Sequence, residues 1–189
     1  MSYLQNAGAF LITSLFGFFI CIFLLRAMLI GVGAGFYEPV CRFVYQLTNP
    51  VITPLRGFVP RWRRVEFASL LVAWLLALVG LALIVALFGV PIGVTGLLLR
   101  ALNDTLDWAI LIQLVAIFAL CVLSFIPSVR HDSNFQLLTL FTNPIARPFR
   151  RLVPPLAGMD FSLWFASIAL ILVRMLVLTP LTDLAQRLP

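Results

Sequence analysis

The sequence predicts an all-α, polytopic transmembrane protein: four spans arranged as two parallel two-helix repeats, with interfacial amphipathic helices between spans. Three observations carry that prediction. The 189-residue chain is 62 % hydrophobic and only 11 % charged, whereas soluble domains run near 45–50 % apolar and about 25 % charged. Four apolar runs are each long enough to cross a bilayer. Finally, one stretch is written twice: residues 47–70 align without a gap on 141–164 at a shift of 94, with eight identities in 24 positions.

The first run, Ala9–Ile30, has about 22 residues, sufficient for a hydrocarbon core of ~30 Å at ~1.5 Å rise per residue. It is too long for a signal-peptide core, and no positive charge precedes it, so it is expected to be retained. Its one charge, Arg26, lies near the end, where a long cation can snorkel to the interface. Gly31, Gly33 and Gly35 then break the helix.

Residues 38–48 read as a short helix lying on the membrane. Phe36, Val40, Phe43, Val44 and Leu47 mark one face, with Glu38, Arg42 and Gln46 elsewhere. Asn49-Pro50 is expected to stop it, because the residue before proline is pushed out of the α region. Pro54 and Pro60 divide the loop beyond it into short pieces, and Arg56, Arg61, Arg63 and Arg64 crowd the same stretch.

The second span is Phe67–Phe88, closed by Gly89, Pro91, Gly93 and Gly96. Continuing it to Leu99 would give a helix of about 50 Å, too long for a simple span. Residues 94–105 form another amphipathic, interfacial helix, with Arg100 and Asp104 spaced i,i+4. The third span, 106–126, comes next and Pro127 ends it; five spans would result if 92–126 re-enters. Loop 128–160 replays the first loop. The fourth span is 161–179, stopped by Pro180. The repeats are thus 1–93 and 94–189.

Charge sets the orientation. All thirteen basic residues are Arg, and the net charge is +6. The first repeated loop holds Arg42, Arg56, Arg61, Arg63 and Arg64; the second holds Arg130, Arg147, Arg150 and Arg151. The positive-inside rule puts both loops in the cytoplasm and both termini outside. A two-span unit copied once returns to the same side, so the halves are parallel repeats. The arginines are read as meeting anionic lipid; nucleic acid is not expected, because no soluble basic domain exists to carry it.

Little in the sequence supports catalysis. The one histidine, His131, sits in a loop without a nucleophile motif, and no Walker or dinucleotide-binding loop occurs. Cys21, Cys41 and Cys121 have no metal spacing and read as buried free thiols. No cofactor, metal or enzyme activity is expected.

The repeated loops are the candidate site: Thr48, Asn49, Pro50, Pro54, Arg56, Pro60 and Glu66, with their counterparts Thr142, Asn143, Pro144, Pro148, Arg150, Arg151, Pro154 and Asp160. The threonines and asparagines read as helix caps; as pore-liners they would have to face one another across the pseudo-twofold axis. Arg56 and Arg150 can reach freed carbonyls or the acids at 66 and 160, making a rigid elbow, or an anionic headgroup or partner. Charges within the spans are few, Arg26, Arg174 and Asp107, which favours a dry interior over a channel.

The doubled motif Thr48-x-Pro50-x-x-x-Pro54-x-Arg56-x-x-x-Pro60 and Thr142-x-Pro144-x-x-x-Pro148-x-Arg150-x-x-x-Pro154, followed by Asp160-Phe161-Ser162, resembles the YggT family. These are small bacterial inner-membrane proteins with YlmG-type relatives in chloroplasts and cyanobacteria. The first copy departs from the pattern, with Glu66-Phe67-Ala68 in place of Asp-x-Ser. The resemblance implies a role outside the established enzymes: osmotic or potassium tolerance, cell-division or nucleoid organisation, or, in chloroplast relatives, assembly of cytochrome b haem. The expectation is a scaffold or assembly factor binding anionic lipid, a membrane-protein partner or a second copy through the Arg-rich loops. The alternative is a small ion transporter or channel component.

Overall fold

A computed structural model describes residues 3–34, 39–55, 57, 65–90, 92–126, 128–129, 132–152 and 160–187, the side chains of 152, 186 and 187 excepted. It contains α1 (Tyr3–Val32), α2 (Pro39–Leu55), α3 (Phe67–Phe88), α4 (Val94–Ser124), α5 (Ser133–Leu152), α6 (Ser162–Val173), a π-helical turn (Arg174–Leu178) and α7 (Thr179–Arg187), with no strand among the described residues. Four stretches are long and apolar enough to cross a membrane: α1, α3, α4 and the continuous Ser162–Ala185. The architecture is therefore the expected all-α one, with four such stretches among the described residues, 92–126 contributing one of them.

Each repeat is span, amphipathic helix, span. The amphipathic helices α2 and α5 begin 94 residues apart, at Pro39 and Ser133. Gly17 abuts Trp108 at the start of the α1–α4 contact, and Leu25 and Leu29 share a pocket with Ile112 and Ala116 further along. The two leading spans thus run parallel, and α3 and α6–α7 return beside them.

Several expected boundaries move. Both amphipathic helices continue through their prolines, α2 through Pro50 and Pro54 and α5 through Pro144 and Pro148. A mid-helix proline frees the carbonyl four residues back. All four prolines are exposed, and so are Gln46, Pro50, Leu140 and Pro144, whose carbonyls are freed. Those carbonyls lie on the outer face, where water or headgroups can satisfy them. Pro60 and Pro154 lie outside the described residues, as do Arg56 and His131.

Residues 94–105 are not a separate interfacial helix: they are the first turns of α4, because Thr95, Gly96 and Arg100 do not interrupt a helix that the apolar run then sustains. Pro180 does not end the fourth span either. The Thr179 N–H bonds Arg174 O, five residues back, and this local π register carries the chain past the residue without an N–H. The spans α1 and α3 end at glycine. Gly33 and Gly89 adopt φ of 74° and 64°, the left-handed region that suits a residue without a side chain.

The core lies mainly in the first repeat, where Ile20, Phe23, Leu24, Ala73 and Ala77 join α1 to α3, and Cys41, Tyr45 and Ile52 of α2 pack beneath. A smaller cluster, Ile117, Leu120, Ala146, Leu163 and Ala166, joins α4, α5 and α6. On α2, Val44 turns inward, whereas Val40, Phe43 and Leu47 form an exposed apolar ridge suited to lipid. Of the cysteines, Cys41 is buried, Cys21 half-buried and Cys121 exposed, so the expectation of three buried thiols fails for Cys121, which faces outward from α4.

Candidate functional site

Arg26 does not snorkel. It is fully buried, because α2 and the start of α3 close over it and offer it acceptors. Its Nε donates to Glu66 Oε2 at 2.7 Å and its Nη2 to Glu66 Oε1 at 3.4 Å. Its Nη1 donates to Thr48 Oγ1 at 2.6 Å and to Asn49 Oδ1 at 2.9 Å. The Tyr45 ring lies 4.9 Å from the guanidinium carbon, a cation–π distance. Glu66 Oε2 also accepts from Ser69 Oγ at 2.6 Å. An unpaired charge here would be very costly, and this one is ion-paired and makes four hydrogen bonds.

Thr48 and Asn49 are therefore not helix caps. They sit inside α2 on the side facing Arg26. The Thr48 hydroxyl donates to Val44 O at 2.6 Å, leaving its oxygen free to accept from the arginine. The network ties three elements together: α1 through Arg26, α2 through Thr48 and Asn49, and α3 through Glu66 and Ser69.

The second repeat keeps the acid and the asparagine, and among the described residues its arginine comes from α5; the first-repeat counterpart, Arg56, lies outside the described residues. The position equivalent to Arg26 is Leu120, buried in the apolar cluster. Here Arg150, on α5, donates from Nε to Asp160 Oδ2 at 2.8 Å and from Nη1 to Asn143 Oδ1 at 3.4 Å. Asp160 also receives the Ser162 N–H at 3.1 Å and the Ser162 hydroxyl. This clamp is more open: the Arg150 and Asp160 side chains are 31 % and 26 % exposed. Thr142 is buried and donates to Leu138 O at 2.9 Å, outside the ionic group.

The departure of the first copy from Asp-x-Ser is resolved by geometry. The longer Glu66 carboxylate takes its serine one position later, at Ser69, and Asp160 takes Ser162. The structure thus assembles Thr48, Asn49 and Glu66, and separately Asn143, Arg150 and Asp160. Pro50, Pro54, Pro144, Pro148 and Arg151 stay on the outer faces of the amphipathic helices. Sequence reasoning missed Arg26, Tyr45 and Ser69 as members. The one available signal was that Arg26 stands as a lone charge in its apolar run.

With the clamps set, α5 presents an exposed stripe of Gln136, Leu140, Pro144, Arg147 and Arg151, and α2 exposes Arg42. Behind α5, an apolar groove of about 380 Å³ runs between α1, α4 and α5, lined by Leu25, Leu29, Leu137 and Phe141 among others.

The CCB3/YggT family model matches residues 5–87 and again 99–181, two copies offset by the same 94 residues as the motif. The chain is 32 % identical over 190 residues to an uncharacterized protein of Pseudomonas aeruginosa, covering 98 % of this chain and 96 % of the other. It is 29 % identical over 175 residues to the uncharacterized protein YggT of Escherichia coli K12, covering 90 % and 89 %. A Vibrio alginolyticus protein is also 29 % identical over 175 residues, covering 88 % and 90 %. No solved structure matches.

Proposed function

Because this chain belongs to the CCB3/YggT family, we propose that it works as a non-enzymatic scaffold or assembly factor of the bacterial inner membrane, with both termini periplasmic. One observation carries the reading: each amphipathic helix is pinned to the spans by an acid–arginine–asparagine group, which holds its exposed face outward. A surface helix that merely dipped into lipid would not need a fully buried guanidinium to fix its angle. Arg42, Arg147 and Arg151 stand on those exposed faces, where each contributes roughly 1 kcal/mol of attraction to an anionic leaflet. The apolar groove behind α5 offers room for an acyl chain. The repeat motif itself supplies rigidity, and the arginines outside the clamps do the binding.

The test is to purify wild type and an Arg42→Ala/Arg147→Ala/Arg151→Ala variant from their native membrane. Native mass spectrometry would quantify bound anionic phospholipid, and crosslinking in the membrane would reveal a protein partner or a second copy. The variant is expected to lose bound anionic lipid or one discrete crosslinked species. Unchanged profiles on both counts would remove the scaffold reading.

A second reading, a small ion transporter or channel component in osmotic-stress tolerance, is favoured by one observation: an ion pair between two spans, Asp107 with Arg174, at the floor of a polar cleft.

A further inference from the structure

The duplication supplies an internal control for that cleft, since each residue lining it has a counterpart 94 positions earlier. In the first repeat the α1–α3 seam carries Ala9, Phe10, Gly80, Val85 and Phe88. In the second, the same positions carry Asn103, Asp104, Arg174, Thr179 and Thr182. Thr13 becomes Asp107 and Gly89 becomes Asp183. A largely apolar set of positions has been replaced by a polar one, and a cleft of about 270 Å³ stands open there.

Its floor is the Asp107–Arg174 pair, Nε to Oδ1 at 2.5 Å and Nη2 to Oδ2 at 2.9 Å. Asp107 lies roughly 20 Å along the long α4 and Arg174 roughly 18 Å beyond Ser162, at ~1.5 Å per residue, and the pair ties the two spans together. Yet its side chains are 48 % and 33 % exposed, arginine first. A charge facing hydrocarbon is costly, and charges on membrane spans generally face water or protein. The π turn begins at Arg174, and such turns recur at functional sites.

Asn103 gives the independent sign of a ligand. It is 5 % exposed. The Thr182 hydroxyl donates to Leu178 O at 3.0 Å, so its oxygen must accept the Asn103 Nδ2 at 2.7 Å. That fixes the amide orientation and leaves Asn103 Oδ1 buried without a partner. Asn103 Oδ1 joins the carboxylates of Asp104 and Asp183 as acceptors of the cleft. Its lining holds three carboxylates against Arg174, with Arg100 one turn before Asp104 on α4. One positive charge completes the balance.

We infer that this cleft is a water-filled vestibule, open at the end of the bundle where the chain termini lie, that binds a hydrated monovalent cation among Asn103, Asp104 and Asp183. Asp104 and Asp107 also border a second cavity of about 250 Å³ between α1, α3 and α4. The same carboxylates are thereby exposed toward the first repeat. The inference extends the transporter reading but concerns binding alone, so ion flux into liposomes tests transport separately.

The experiment is thiol labelling of Thr179→Cys by membrane-impermeant methanethiosulfonates carrying either a quaternary ammonium or a sulfonate group. The reference is wild type, which supplies Cys21, Cys41 and Cys121. The control is Val85→Cys, the first-repeat counterpart. Thr179→Cys is expected to react at least tenfold faster than Val85→Cys and to prefer the cationic reagent about tenfold. Adding Asp183→Asn should bring the two reagents toward parity while labelling continues. Sodium or potassium chloride should slow the cationic reagent more than N-methylglucamine chloride does at equal ionic strength. Labelling no faster than at Val85→Cys would show a covered or dry seam and overturn the inference. Equal rates for the two reagents, or no difference between the salts, would show water without a cation site and overturn it too.

Discussion

Arg26 donates from Nε to Glu66 Oε2 at 2.7 Å with both side chains essentially sealed from solvent, 0 % and 2 % exposed. Removing one partner of such a pair leaves a buried charge, which costs about 3–5 kcal/mol, whereas replacing both with apolar groups is often neutral. Arg26→Ala is therefore expected to lower the melting temperature in detergent sharply. Arg26→Leu/Glu66→Leu should recover most of the loss, because Leu120 already fills the equivalent place in the second repeat. If the double variant melts as low as the single one, the network confers more than charge balance.

Gly17 sets how closely the two repeats approach. A Cβ there would come within 2.6 Å of the Trp108 ring, on the leading span of the other repeat. Gly17→Ala should destabilise by about 1–3 kcal/mol through overpacking. Trp108→Leu in the same chain should relieve part of that cost, a coupling that a double-mutant cycle in thermal melts would detect. Additive effects would mean that α1 shifts freely against α4.

The spans were legible because apolar runs of the right length leave few alternatives, and Phe67–Phe88 is found at the expected residues. The helical course of 49–55 and 141–152 was not, because proline chemistry predicts a break unless the freed carbonyls face water. Only the tertiary position of α2 and α5 provides that. The role of Arg26 was hidden for a similar reason. A lone arginine near a span's end looks the same whether it snorkels or is buried, and its partners lie 22 to 40 residues away. Among the described residues the first clamp holds Arg26 of α1 and the second Arg150 of α5.

The exposed prolines are expected to be dispensable for stability. Pro50→Ala and Pro144→Ala restore an N–H that can reach Gln46 O and Leu140 O. Alanine is intrinsically favoured over proline in a helix interior by up to ~3 kcal/mol. Melting temperatures should hold or rise, and hydrogen exchange at the new amides should be slow. A fall in stability would show that the rings themselves make contacts that orient α2 and α5.

The two clamps should be unequal. Arg150→Ala breaks an ion pair that water still reaches, and exposed or half-exposed pairs are worth about 0.2–1 kcal/mol. Its loss is expected to cost at most about 1 kcal/mol globally, far below Arg26→Ala. The local effect should be larger: Arg150 joins α5 to Asp160 just ahead of α6, so exchange of the α5 amides should quicken while those of α2 stay slow. That pattern would identify the second amphipathic helix as the one able to lift from the bundle. Equal destabilisation by Arg150→Ala and Arg26→Ala would mean that solvent does not weaken the second clamp, and that α5 is covered in the membrane by something the single chain does not contain.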